Sequence, residues 1–489
     1  MTLLLGIDVG TTATKGILLD PSLGLVAQTE RPTVLHADRP GWAEEDVGEW
    51  WANVRSLCHE LADGREIGAV GVSGMVPCVV LHDSAGRPIR RSIQQNDARA
   101  GVEIVELRSR LAGARVLERT GSAITQQSVG PTVMWLQRHE PEVWARTRTV
   151  AGSYDTIVRL LTGERSVEAN WALESGLYDL QTGDWAPDIL AAVDLDSEVL
   201  PRVRRPDEVV GRVTPRAAEE TGLRAGTMVV AGSADHVASA FAAGLVREGD
   251  LLIKLGGAGD ILLTTTAPVI DERLYLDFHL VPGLYLPNGC MATSGSFIRW
   301  FQAQLGSGES LARLDDEAAA AGPGAGGVIA LPYMLGEKTP INDPDARGAF
   351  IGMTLATERG HLFRAVLEGI AFGFRHHVDV FAELGHAPSR VRVTNGGARS
   401  ALWKQVTANV LGLPLETLDS HPGSALGAAF AAGMGSGAFD SWGEIQEFVK
   451  VGDTIEPREH DLYEQPYRTF RALYPALKNM PSTSESSMV

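Results

Sequence analysis

The stretch GIDVGTTATKGILLD, Gly6–Asp20, sets two apolar runs on either side of a turn made of Gly10, Thr11 and Thr12. Leu3 to Asp8 and Thr14 to Leu19 read as strands, because both are rich in Leu, Ile and Val and are bounded by turn residues. DPSLG then turns the chain into a third run, Leu25 to Thr29, which completes a β-meander. The first turn has a chemistry of its own. Gly and Thr between two strands expose several main-chain amides in one direction, so a phosphate can touch the backbone there. The threonine hydroxyls add donors and Lys15 adds a positive charge. Asp8 faces the same place, and a carboxylate beside a polyphosphate is repelled unless a divalent cation stands between them; Asp8 therefore points to Mg2+. The plainer reading of the same residues is a decorated hairpin turn.

The whole chain sets limits on that reading. At 489 residues it exceeds what one core serves, so two domains are expected. An apolar fraction of 44% and a charged fraction of 21% describe an ordinary globular composition. The formal charge of -18 argues against a nucleic-acid or anionic-membrane surface, so a phosphate site must be local. The three cysteines, Cys58, Cys78 and Cys290, are widely spaced and odd in number. They point to a reducing, cytoplasmic setting without disulfides or structural zinc. MTLLLGID lacks a basic segment and reaches Asp8 too early for an export signal, and no run of about 18 apolar residues predicts a membrane span. The oligomeric state is left open, a homodimer included.

Outward from the meander, Trp50, Val54, Leu57 and Leu61 recur at helical spacing and the pattern stops at Gly64. Later strands are expected at Ala69 to Val72, Thr227 to Ala231, Leu251 to Leu255, Ile261 to Thr265 and Arg390 to Thr394. Strands and helices alternate, which makes the class α/β. DLLIKLGGAGDILLTT repeats the shape of the first hairpin: an apolar run, a Gly-rich turn, an apolar run. A domain boundary near 243 follows, giving domains at 1–242 and 243–478, with a polar, disordered tail at 479–489. From Gly360 to Leu384 a long helix carries Leu362, Val366, Ile370, Phe374, His377 and Phe381 on one stripe, where His377 reads as a satisfied core residue. In AGSADH, Asp235 stands between a strand end and a helix. An N-cap is the plainest role there, and one compatible with accepting a proton. TNGGARS, Thr394 to Ser400, is a strand, a Gly-Gly turn and a helix start at Ser400 or Ala401, a turn against which a flat ring can lie.

GAFIGMTLATERGHLFRAVLEGIAF, Gly348 to Phe372, resembles the long C-terminal signature of the FGGY family of carbohydrate kinases, with Gly348, Phe350, Gly352, Met353, His361, Leu362, Ala365, Val366, Leu367 and Glu368 at the family's spacing. GIDVGTTATK is similar to the family's first phosphate motif and NGGARS to its adenine-side turn. The likeness runs from residue 3 to about 435, and GWAEEDVGEWW and WLQRHEPE make it most similar to the xylulokinases. The resemblance implies two actin-like, ribonuclease-H-like domains around a central cleft, sugar held by the first and ATP mainly by the second. The reaction it implies is ATP- and Mg2+-dependent phosphorylation of a hydroxyl on a small sugar, most similar to a ketopentose. A kinase for ribulose, a tetritol or an aldonate is the nearest alternative, and a non-catalytic actin-like nucleotide clamp a more distant one.

Carried onto this sequence, the resemblance makes Asp235 the catalytic base and Asp8 the carboxylate on the Mg2+ side. Gly10, Thr11, Thr12 and Lys15 serve the phosphates of ATP, as do Gly256 and Gly257 in the second hairpin. Gly396, Gly397 and Arg399 lie by the nucleoside. Met75, Val76, Gln95, Asp97 and His236 face the sugar. Val76 stands where the xylulokinase pattern has histidine, Gln95 where it has tryptophan, and His236 where it has asparagine. Gly257 replaces a phosphate-binding threonine, and Thr132 a lysine. The hydroxyl pattern read by the pocket is therefore expected to differ in part from that of D-xylulose.

Overall fold

The computed structural model describes residues 2–394 and 396–478. Asn395 of the Gly-Gly turn and the 479–489 tail lie outside the described residues. The elements that frame the site are, along the chain, β1 (Leu3–Val9), β2 (Ala13–Asp20), β3 (Gly24–Pro32), α1 (Val47–Ala62), β4 (Ile67–Gly74), α2 (Ala169–Glu174), β5 (Val209–Arg212), β6 (Met228–Val230), β7 (Ser233–Ala234) and α3 (Asp235–Ala242). They continue with β8 (Asp250–Leu255), β9 (Gly259–Leu263), β10 (Tyr275–Phe278), β11 (Tyr285–Met291), α4 (Gly295–Leu305), α5 (Arg359–Glu383), β12 (Arg390–Thr394), α6 (Ala401–Leu411), β13 (Leu415–Ser420), α7 (Ser424–Ser436) and β14 (Lys450–Ile455).

Every residue of β1 is buried, the mark of a strand covered on both faces. It pairs antiparallel with β2 and parallel with β4, and β2 pairs antiparallel with β3, so the meander read from the sequence is present. The sheet runs β5-β6-β4-β1-β2-β3. On one face lies α1, whose Trp50, Val54, Leu57 and Leu61 are at most 2% exposed. Burial of four such side chains favours docking by about 1.5–3 kcal/mol each. On the other face lies α7, apolar all round because it is enclosed. Its backbone sits directly on two register-paired glycines: a Cβ at Gly6 would stand 2.0 Å from the Ala425 carbonyl, and one at Gly71 1.9 Å from the Ala428 carbonyl. An alanine at either place would push the helix off the sheet.

The second sheet repeats this plan. β8 pairs antiparallel with β9 and parallel with β12, with the order β11-β9-β8-β12-β13-β14. The expected strands and the long helix are all found, the latter as α5 with His377 fully buried between the Gly373 carbonyl and the Thr339 hydroxyl. The chain divides into two compact units. The first holds the residues up to Glu248 together with Thr264–Pro287 and Ser420–Val449; the second holds Gly249–Leu263, Asn288–Asp419 and the chain from Lys450. The 243–478 segment is thus largely in the second unit, while three of its stretches, the last one carrying α7, fold with the first. All three cysteines are free thiols. No helix among the described residues is long and apolar enough to cross a membrane.

Candidate active site

In the first unit the strand ends bring the chemistry together. Asp8, one residue before the end of β1, is the register partner of Lys15 on β2 and of Ser73 on β4, and Ser73 is in turn the partner of Ser233 on β7. Because side chains alternate along a strand, Asp8 projects to the same face as Gly6, toward the first turn of α7. Its carboxylate accepts a hydrogen bond from Ser73 Oγ at 3.0 Å. Burial and the neighbouring Asp235 charge push its pKa up to about 6, against the hydroxyls of Ser424 and Ser73 and the charge of Lys15. The turn itself leaves Thr11, Thr12 and Lys15 exposed, closed by the Gly10 amide donating to the Ala13 carbonyl at 3.1 Å. Asp235 is the first residue of α3; Ala234 holds the cap position, so capping does not consume the carboxylate. Its Oδ1 accepts from the His236 amide at 2.6 Å, and its side chain is 37% exposed. The His236 ring sits between three acids: Nδ1 is 3.4 Å from Asp235 Oδ1, and Nε2 is 2.7 Å from Asp277 Oδ2 and 3.9 Å from Glu174 Oε1.

In the second unit the register Lys254↔Thr394 puts the turn after β8 and the turn after β12 at one edge of the sheet. The carbonyls of Gly256 and Gly257 accept the amides of Gly295 and Ser294 at 2.8 Å each, and Ser296 Oγ adds a bond to Gly257 O at 2.8 Å, so the helix start of α4 fixes the turn. Gly396 and Gly397 form a short 3-10 turn with Arg399, which is exposed. A Cβ at Gly397 would lie 2.0 Å from the Trp403 ring and 2.7 Å from Leu255 Cβ, which leaves room for glycine alone. α6 then starts at Ala401 under a Ser400 cap, where the sequence placed it.

Residues 3–242 match the model of the FGGY family of carbohydrate kinases, N-terminal domain, and residues 252–436 that of its C-terminal domain. The chain belongs to the FGGY family of carbohydrate kinases. It is similar to the xylulose kinase of Lactococcus lactis, 31% identical over 487 residues and 97% of each chain, and to that of Staphylococcus epidermidis, 29% identical over 486 residues and 97% of each. Among solved structures, the xylulose kinase of Rhodospirillum rubrum matches with a TM-score of 0.93 and 45% identity, over 97% of this chain and 99% of that one. The chain is thus an enzyme, a carbohydrate kinase that uses ATP, built as the two-domain α/β fold of such kinases.

Within this kinase the residues expected to face the sugar fall into two groups. His236 stands beside Asp235. Met75 and Val76, just past β4, are 1% and 2% exposed, and Gln95 accepts from Gln127 Nε2 at 3.2 Å. Asp97 is engaged within the protein: Oδ2 accepts the Ala43 amide at 2.6 Å and Arg99 Nη2 at 2.7 Å, and Oδ1 accepts Arg99 Nε at 2.7 Å. Arg99, whose side chain is 1% exposed, also pairs with Glu44 at 2.7 Å and lies 3.7 Å over the Trp42 ring. The sequence reading passed over Arg99, Ser73, Ser424, Glu174 and Asp277. Arg99 and Glu44 had a signal, as charges set inside apolar, Trp-containing stretches; the others lie in segments whose proximity no local pattern reports.

Proposed function

We propose that this kinase phosphorylates a hydroxyl of a ketopentose, D-xylulose being one candidate among several, in the reducing interior of the cell. The observation that carries the reading is the pair Asp8 and Asp235, one carboxylate enclosed beside the Gly-Thr-Thr turn and raised by the other, which opens α3 half exposed. Asp235 takes the proton of the attacking hydroxyl as the sugar oxygen bonds the γ-phosphorus and ADP leaves. In a loose phosphoryl-transfer transition state the protein mainly positions and neutralises, so the place of this carboxylate at the start of α3 matters most. Thr11, Thr12 and the turn amides that follow Gly10 receive phosphate oxygens, with Lys15 supplying charge. In the second unit Gly256 and Gly257 serve phosphate through their amides, and Gly396, Gly397 and Arg399 the nucleoside. Met75, Val76, Gln95 and Asp97 shape the sugar side, Asp97 through Arg99.

The donor set also fits Mg2+. Asp8 and Asp235 are two carboxylates close enough for each other's charge to be felt, next to hydroxyl oxygens, the hard ligands this cation takes. Asp8 would hold it, and when bound it neutralises charge on the phosphates. A coupled ADP-release assay over ketoses, polyols and aldonates tests the reading. Turnover greatest with D-xylulose or another ketopentose is expected; turnover confined to an aldonate or a polyol would replace the substrate class.

A further inference from the structure

Gln95 stands where the family pattern has tryptophan, and a glutamine amide, unlike a ring face, has two unlike ends, one that accepts and one that donates. Its main chain is held in place. Val79 and Ile93 exchange amide-to-carbonyl hydrogen bonds at 2.8 and 3.0 Å, which brings the chain leading to Gln95 alongside the 75–78 stretch, and the Asp97 amide closes the turn on the Gln94 carbonyl at 3.0 Å. Gln127 is held as firmly. Its main-chain amide donates to Thr125 Oγ1 at 3.2 Å, and the Val129 amide donates to the Ser175 carbonyl at 2.9 Å. Ser175 follows Glu174, whose Oε1 lies 3.9 Å from His236 Nε2, so the loop bearing Gln127 is tied to a segment that reaches the neighbour of Asp235.

One hydrogen bond joins the two side chains, Gln127 Nε2 donating to Gln95 Oε1 at 3.2 Å. Gln127 Oε1 is buried without a partner. The reverse orientation would bury an unpartnered NH2 group in its place, the costlier group to orphan, and this sets the direction of the bond. With Oε1 taken, Gln95 Nε2 has no acceptor among the described residues, and it is not enclosed. Of the other residues placed on the sugar side, Met75 and Val76 have apolar side chains, Asp97 is engaged by Arg99 and the Ala43 amide, and His236 faces carboxylates with both ring nitrogens. A ketone oxygen only accepts, and the Gln95 amide is the side-chain donor left for it.

We propose that Gln127 is a specificity-determining residue that acts through Gln95: by occupying Oε1 it presents Nε2 to the sugar, and the pair reads the ketose carbonyl. This rests on the ketopentose reading and on Gln95 facing the sugar. Turned over, the Gln95 amide would set one acceptor against another, whereas the hydroxyl of an alditol could donate to it.

The test is a double-mutant cycle in the full chain, with kcat and KM measured for the ketopentose that the wild type turns over fastest and for the alditol made by reducing its carbonyl. Gln127→Ala and Gln95→Ala are each expected to raise KM for the ketose about tenfold, more than they lower kcat, with KM for ATP within about threefold. The double variant is expected to match the single ones, because one bond serves both. Gln127→Glu supplies a carboxylate that only accepts, so Gln95 turns Nε2 to it and Oε1 to the sugar; the ketose-to-alditol ratio of kcat/KM is expected to fall about tenfold or more, and to stay where it is when Gln95→Ala is already present. Effects that multiply in the double variant would mean that Gln127 acts without Gln95 and overturn the proposal. An unmoved KM for the ketose in the single variants, with or without a lowered melting temperature, would leave the pair a structural contact and overturn it as well, as would an unchanged ratio in Gln127→Glu. A wild type that turns over no ketopentose removes the substrate reading and the carbonyl with it; failure of the cycle in an enzyme that does turn one over removes only the role of Gln127.

Discussion

The two Gly-rich hairpins of this protein have the same topology and opposite chemistry. Each places its first strand between an antiparallel partner and a parallel one. In the first, aspartate precedes the turn and lysine follows, as the pair Asp8↔Lys15; in the second the order is inverted, as Lys254↔Asp260. Lys254 and Asp260 close on each other in an ion pair of 3.1 Å. Asp8 instead turns into the protein beside a second carboxylate, while Lys15 stays at the surface. One hairpin neutralises its own charges and serves as a frame. The other keeps a buried acid under repulsion, a cost in stability that makes sense where a cation and a phosphate are to be received.

The largest effect that would break this contrast is at the partner acid. Asp235→Asn is expected to leave the fold and ATP binding intact and to lower kcat about 100-fold or more, the range for removing a positioned base. Near-wild-type turnover in a variant with an unchanged melting curve would take Asp235 out of the mechanism.

At Asp8 two effects of opposite sign are expected. Asp8→Asn should lower Mg2+-supported turnover about tenfold or more while Mg2+-free nucleotide binding changes little, measured by titrating Mg2+ at fixed ATP. The same change should stabilise the ligand-free protein. A carboxyl raised from 3.8 to about 6 on folding contributes most to stability when protonated in both states, and that contribution falls as pH rises from about 4 to about 6. The wild type therefore gives up about 3 kcal/mol at neutral pH relative to acid, on 1.36 kcal/mol per unit. The melting temperature of Asp8→Asn should exceed that of wild type at pH 7, with the gap closing toward pH 4. A gap independent of pH would mean that the repulsion at Asp8 is not what the substitution relieves.

The smallest effect is expected in the second hairpin. With side chains 16% and 30% exposed, the Lys254–Asp260 pair should contribute about 1 kcal/mol or less. Lys254→Met with Asp260→Leu should move the melting temperature by a few degrees and kcat by less than about threefold. A loss of turnover comparable to that of Asp235→Asn would show that the second hairpin's charges act in catalysis and that the contrast is wrong.

Much of the architecture was legible because local patterns report which faces are covered. The apolar runs around Gly10–Thr12, the stripe on α1 and the stripe on α5 gave strands and helices within a residue or two of those observed. Asp8 and Asp235 could be singled out in the sequence because each sits beside a turn or a helix start. Asp97 was read for a sugar contact from its motif alone, and the structure adds that its oxygens accept from Arg99 and the Ala43 amide. A charged residue in a motif does not say which of its neighbours will claim it.

The sequence by itself determined the α/β class, the repeated hairpins, the Gly-Thr-Thr turn and the positions of the two acids, since these follow from periodicity and from residue types a few positions apart. Only the tertiary structure decided the company those acids keep. Ser424 reaches Asp8 because α7, chemically uniform along SALGAAFAAGMGS and so without a preferred face, packs on the first sheet, where Gly6 and Gly71 admit its backbone. Asp277 and Glu174 meet His236 from a strand and a helix far apart in the chain. Burial and charge at these places are sums over neighbours brought in by packing, and the pattern along any one segment holds no record of them.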